Sequence, residues 1–134
     1  MKKVKTRDRI LDTSLQLFNS LGEPNVTTLL ISDELEISPG NLYYHFKSKG
    51  DIVEELFDGF EAEMLDLLAV PEDVEISLDQ FGFFLHMLFE AVARYRFMYQ
   101  DLVNVLSRYS QLQVRFRRIL KKKTTAFRTL CESF

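Results

Sequence analysis

Ser38-Pro39-Gly40-Asn41-Leu42-Tyr43-Tyr44-His45-Phe46 is the stretch on which the fold turns. Ser followed by Pro starts a helix. The hydroxyl accepts from a backbone N–H that has no partner inside the helix, and the pyrrolidine ring presets φ at the first helical position. Leu42 and Phe46 stand four residues apart and bury together, which turns Pro39, Gly40, Asn41, Tyr43, Tyr44 and His45 towards other surroundings. A short helix over residues 39–46 is predicted, with two aromatics and an amide left outside. Lys47 and Lys49 follow directly.

Working outward towards the N-terminus, Leu30, Ile31 and Leu35 predict a helix of about two turns, with Thr27 or Thr28 as its cap. Before it, residues 4–21 carry Ile10, Leu11, Leu15, Phe18 and Leu21 on one face, Gly22 supplies the stop, and Glu23-Pro24-Asn25 reads as a loop. Two short helices joined by a tight turn and braced by a longer one are the parts of a helix-turn-helix, here residues 27–46. The outer face of the third helix suits that role. Small residues at its start permit close approach to base edges, Asn41 offers an amide that can pair with adenine, and the hydroxyls and imidazole can meet phosphates. Lys47 and Lys49 add salt-dependent attraction. Tyrosine is equally at home in protein interfaces, so a helical adaptor using the Tyr43 and Tyr44 face is the alternative.

Towards the C-terminus, Lys47-Ser48-Lys49-Gly50-Asp51 is a polar break. Ile52, Val53, Leu56, Phe57, Phe60, Met64, Leu67 and Leu68 then predict a long amphipathic helix ended by Pro71, with an acidic loop from there to Ser77. Ser77 or a neighbour caps an apolar helix through Phe81, Phe84, Leu85, Leu88, Phe89 and Val92, and Tyr95-Arg96 reads as a bend. Helical spacing resumes through Met98, Leu102, Val105 and Leu106, and again from about Ser110 through Leu112, Phe116, Ile119, Leu120, Phe127 and Leu130. That last pattern reaches Phe134 without a capping residue, and the chain is expected to be incomplete there. With five Gly, three Pro and no convincing alternation, the expected fold is all-α.

The formal charge of −3 is distributed unevenly. Residues 1–50 hold 7 basic against 6 acidic side chains, residues 51–110 hold 3 against 13, and residues 111–134 hold 7 against 1. Net charge therefore neither supports nor excludes nucleic-acid binding. The start, Met1-Lys2-Lys3-Val4-Lys5, is basic but leads into no apolar segment, and no run is long enough to span a membrane, so a soluble cytoplasmic protein is expected. Cys131 stands alone and reads as a small core residue. Two His, one Cys, no Gly-rich phosphate loop and no paired ligand spacing argue against an enzyme, a metal site or a cofactor.

The run Thr27-Thr28-x-x-Ile31, then Ile37-Ser38-Pro39-Gly40-Asn41-Leu42-Tyr43-Tyr44-His45-Phe46-Lys47-Ser48-Lys49, placed after Leu17-Phe18-x-x-Leu21-Gly22, resembles the N-terminal domain of the TetR family of bacterial regulators. The resemblance covers about the first 55 residues. It implies that Thr27 and Thr28 open the second helix against phosphates, that Pro39, Gly40 and Asn41 face bases, and that Tyr43, Tyr44, His45 and Lys49 grip the backbone, Tyr43 also touching a thymine methyl. Ser38 belongs to the same DNA-binding set. It further implies a palindromic double-stranded operator, a homodimer of the full-length protein, and repression relieved by a small apolar or amphipathic effector. In the family the dimer is built mostly by two helices near the C-terminus, which are not expected at this length. Two positions depart from the pattern: Glu36 stands where Gly is usual in the turn, and Pro39 where a basic residue is common.

The expected organisation is thus a three-helix helix-turn-helix domain over residues 1–49, followed over residues 50–134 by a helical ligand-binding and dimerisation domain. Phe60, Met64, Phe83, Phe84, Met87, Met98, Tyr99 and Tyr109 are aromatic and Met-rich candidates for an effector pocket, with His86 to orient a polar group, although such residues are more often simply core and such a histidine more often a buried or rim residue. Arg115, Arg117, Arg118, Lys121, Lys122, Lys123 and Arg128 read first as a solvated face partnered by the acidic middle. A second nucleic-acid patch and an anion-recognition site are the alternatives.

Overall fold

The computed structural model describes residues 4–70 and 75–132. Among them run eight α-helices and no strand: α1 (Thr6–Leu21), α2 (Thr28–Leu35), α3 (Pro39–His45), α4 (Lys49–Leu68), α5 (Leu78–Arg94), α6 (Arg96–Gln100), α7 (Leu102–Arg108) and α8 (Gln111–Glu132). A 3-10 turn, Glu23–Asn25, sits between α1 and α2. The expected stop at Pro71, most of the acidic loop after it, the basic residues before Val4 and the last two residues lie outside the described residues.

The helix boundaries follow local chemistry. Gly22 at φ 86° ends α1, its N–H reaching the Phe18 carbonyl. Thr27, not Thr28, caps α2, accepting from the Leu30 N–H at 3.1 Å. Ser38 caps α3 through the Asn41 N–H at 3.0 Å, with Pro39 in its first turn. Ser48 caps α4, and Ser77 forms a reciprocal capping box with Gln80 at the start of α5. Each such cap contributes about 1 kcal/mol. Tyr95 breaks α5 from α6 where the bend was expected, and a second break at Asp101 separates α6 from α7.

One core runs the length of the molecule. Ile10, Phe18, Ile31, Leu42, Phe46 and Val53 fill the N-terminal end. Phe57, Phe60 and Met64 of α4 continue it among Tyr95, Tyr99 and Phe116. α4 packs on α1, α5 and α8, so it belongs to both ends of this core. Asn19 ties α1 to the α5–α6 bend, donating to the Arg94 carbonyl at 2.9 Å and accepting from the Phe97 N–H at 3.0 Å. Arg115 of α8 pairs with Glu61 and Asp58 of α4, as the charge distribution led one to expect, and lies over the Phe57 ring.

Several expectations are corrected by packing. Leu21 is 48% exposed and Phe89 66% exposed, because each lies beyond the stripe its helix buries. Cys131 is exposed, the inward positions of the last turns going to Ala126 and Leu130. Helix α1 begins at Thr6, two residues later than the spacing suggested.

Candidate nucleic-acid interface

Helix α3 is held at its base and open on its outer face. Leu42 and Phe46 are 2% and 3% exposed, whereas Tyr43 and Tyr44 are 57% and 77% exposed. Ser38, Pro39, Gly40 and Asn41 are exposed as well, and His45 is half-buried, its ring edge-on to Tyr44. Thr27 is exposed and Thr28 half-buried at the start of α2. The fold does not itself demand a glycine at position 40. A Cβ placed there meets nothing nearer than Ser38 Oγ at 3.9 Å, so the small residue leaves room for something outside the chain.

Three cations fix this arrangement. Arg7 of α1 donates to the His45 carbonyl at 2.9 Å, pairs with Glu55, and stacks over the Phe46 ring at 4.2 Å. It thereby satisfies a carbonyl at the open end of α3. Lys47 folds back over the Tyr43 ring at 4.4 Å and donates to the Tyr43 carbonyl at 3.2 Å. Lys49 departs from expectation. Instead of projecting towards a phosphate, its ammonium donates to the Glu23 carbonyl (3.1 Å) and Val26 carbonyl (3.0 Å) and meets Glu23 Oε1 at 3.0 Å. Those contacts engage all three of its donors.

Glu23, read from sequence as a loop residue, is the one buried charged side chain among the described residues, with 2% exposure. Its carboxylate also accepts from Tyr109 Oη at 2.5 Å and from Arg108 at 2.5 Å. Burial pushes its pKa up, but the hydrogen bonds from Tyr109 and Lys49 and the charges of Lys49 and Arg108 outweigh burial and hold it below the ordinary value. Tyr109 is pushed the other way by burial and by the carboxylate it serves, and so keeps its proton. Neither Arg7 nor Glu23 was identifiable from sequence. Their partners lie 26 to 86 residues away, and nothing in the local pattern marks them.

The turn between α2 and α3 carries the residue that fits least well. Glu36 adopts φ 56°, ψ 39°, the left-handed conformation that Gly adopts without strain. Its N–H reaches the Asp33 carbonyl and the Ile37 N–H reaches Ser32, so the turn closes in spite of the side chain.

The expected effector-pocket residues divide between the packed core and the surface of α5. Phe60, Met64 and Met98 are solid core, and Tyr99 packs edge-on to Phe60 and Phe116 with its hydroxyl accepting from Lys123 at 3.0 Å. Burial pushes the Tyr99 hydroxyl up to about 12 and the Lys123 ammonium down. Phe84 meets Phe127 across α5 and α8, and Tyr109 is committed to Glu23. Phe83, Met87 and His86 lie on the outer side of α5, Phe83 being 67% exposed and His86 paired with Glu90 at 3.2 Å in solvent. His86 is therefore no buried orienting group. A groove of about 350 Å³ opens between α7 and α8, lined by Leu102, Leu106, Phe116 and Leu120 with Arg117 at its side, none of them in the expected set. A second, of about 230 Å³, between α4 and α5, includes Met87 among Glu63, Asp66, Glu90 and Arg94. No helix of the described residues is long and apolar enough to cross a membrane.

Comparison with known proteins agrees with this geometry. Residues 10–56 match the family described as bacterial regulatory proteins, tetR family, and residues 59–134 match the TetR family described as bacterial transcriptional repressor. The negative regulator of the icaADBC biofilm operon, IcaR, of Staphylococcus epidermidis is 28% identical over 97 residues, 72% of this chain and 52% of that protein. The HTH-type regulator AcrR of Shigella flexneri is 32% identical over 63 residues, 47% of this chain and 29% of AcrR. Among solved structures, a TetR-family transcriptional regulator from Marinobacter aquaeolei superposes with a TM-score of 0.91 at 40% identity, over 97% of this chain and 64% of that one. The ketosteroid regulator KstR2 of Mycobacterium tuberculosis shares the fold, with a TM-score of 0.68 at 23% identity over 98% and 67% of the two chains. The chain thus spans about half the length of IcaR and under two thirds of the Marinobacter protein.

Proposed function

This chain belongs to the TetR family of bacterial transcriptional regulators, and from that premise we propose that it reads a palindromic operator in double-stranded DNA through the outer face of α3 and acts as a repressor. The observation that carries the reading is the contrast within α3: Leu42 and Phe46 anchor it, while Gly40, Asn41, Tyr43 and Tyr44 face outward. In this reading Asn41 pairs with a base edge, and Tyr43 and Tyr44 reach phosphates, Tyr43 also touching a thymine methyl. Lys49 acts indirectly, by holding the turn that carries α2. The repressor sense follows the description of the matched family and the name of IcaR, a negative regulator.

Residues 1–49 form the reading unit in this proposal and the helices after them the effector unit. Two copies must present α3 about 34–36 Å apart, one turn of B-DNA, so the full-length protein acts as a homodimer in the cytoplasm. A small apolar or amphipathic effector, bound among the helices after α4, releases the operator.

Selection of bound duplexes from a random pool, followed by affinity measurement across a salt series, tests the assignment. Enrichment of one motif, with log affinity falling linearly in log salt, is expected. No enriched motif, or salt-insensitive capture of protein in its place, would overturn it in favour of an adaptor.

A further inference from the structure

The buried carboxylate of Glu23 joins elements that are far apart in sequence. Oε1 takes the Tyr109 hydroxyl and the Lys49 ammonium, and Oε2 takes Arg108. Lys49 in turn binds the carbonyls of Glu23 and Val26, and Val26 directly precedes Thr27, the cap of α2. The Tyr109 ring also covers the first turn of α4, where a Cβ on Gly50 would stand 3.5 Å from it. One carboxylate thus connects the end of α7 to the backbone from which the reading pair is suspended. On its other side α7 faces the groove it shares with α8.

We propose that Glu23 is a positioning residue for DNA reading: the seating of Arg108 and Tyr109 on its carboxylate sets the placement of the α2–α3 pair. This deepens the operator-binding reading and rests on it. A side chain with 1% exposure cannot exchange a lost donor for bulk water without moving. When α7 shifts, the Glu23 backbone shifts with the carboxylate, and Lys49 carries that movement to Val26 and the cap of α2. The link is physical and contiguous, with no gap to be bridged by correlation alone.

The test uses the full chain and Tyr109→Phe, which deletes one hydroxyl and keeps the ring over Gly50. Leu130→Ala is the control, because it loosens a buried position near the end of α8, away from α7 and the Glu23 network. Amide hydrogen exchange is read in the free protein across α2 and α3, and affinity is read on the selected duplex. Tyr109→Phe is expected to speed α2–α3 exchange about fivefold or more and to weaken the duplex by a similar factor, while the control moves neither by more than about twofold. The proposal is overturned if Tyr109→Phe leaves exchange unchanged, if faster exchange leaves affinity intact, or if Leu130→Ala has the same effects. Should the unaltered chain select no duplex, the operator reading fails on that result, and the exchange arm alone decides whether α7 positions the reading pair.

Discussion

The two ends of this molecule use aromatic side chains in opposite ways. At the reading end, Tyr43 and Tyr44 stand on a helix whose buried face is only Leu42 and Phe46, and they touch little besides Lys47 and His45. Around α4, by contrast, Phe57, Phe60, Tyr95, Tyr99 and Phe116 form a connected series of edge and stacked contacts with centroids 5.4–6.4 Å apart. The lesson is one of spacing. A seven-residue helix buries too few positions to hide its tyrosines, whereas a 20-residue helix flanked by others buries every aromatic on its inner stripe.

The largest effect that could break this contrast is at Phe60. If the aromatic series is packed core, Phe60→Ala costs about 3–5 kcal/mol, read from urea unfolding. A cost below about 1 kcal/mol would show that the site is a cavity after all and return Phe60 to an effector pocket. Glu23 comes next. Glu23→Gln leaves Lys49 and Arg108 without their carboxylate, and because both reach partly into solvent the expected loss is about 2–3 kcal/mol. Its pH dependence has a definite sign. The folded pKa is below the ordinary 4.5, so the stabilisation is fully present above that value and is lost as pH falls through the folded one. Unfolding midpoints of the parent should therefore fall in acid along a segment that the Gln variant lacks. Midpoints that fall in parallel would contradict the assignment. A smaller effect sits in the turn. Glu36→Gly relieves a left-handed non-glycine residue and should raise stability by about 1 kcal/mol in thermal melts, which a lowered melting point would refute.

How much of this was legible in the sequence differs between the same two regions. The helix-turn-helix could be read because its determinants are local: Ser38 and Pro39 announce the start of α3, Leu42 and Phe46 fix its inward face, and Gly22 ends α1. Even the misfit at Glu36 was visible, since its place in the turn implied positive φ. The Glu23 network was not legible, because a carboxylate after a glycine looks like any loop residue until the chain brings Tyr109 and Arg108 to it. The placement of the effector set was hard to read for a related reason. Helical spacing places Phe60 and Met64 inward but cannot say whether the interior is filled, and α5 carries apolar residues on so many sides that Phe83, Met87 and Phe89 were not separable from Leu88. Lys49 shows the limit of family resemblance: its position in the motif is right, yet its ammonium is turned inward.

The central claim, that the outer face of α3 meets DNA and serves no purpose inside the fold, is tested most directly at Gly40, where a side chain has open space. Stability and affinity for the selected duplex are measured together for Gly40→Leu. The account predicts stability unchanged or raised by up to about 1 kcal/mol, with affinity reduced about tenfold or more because the new side chain blocks the base edges. Duplex affinity equal to that of the parent, in a variant that folds normally, would contradict it.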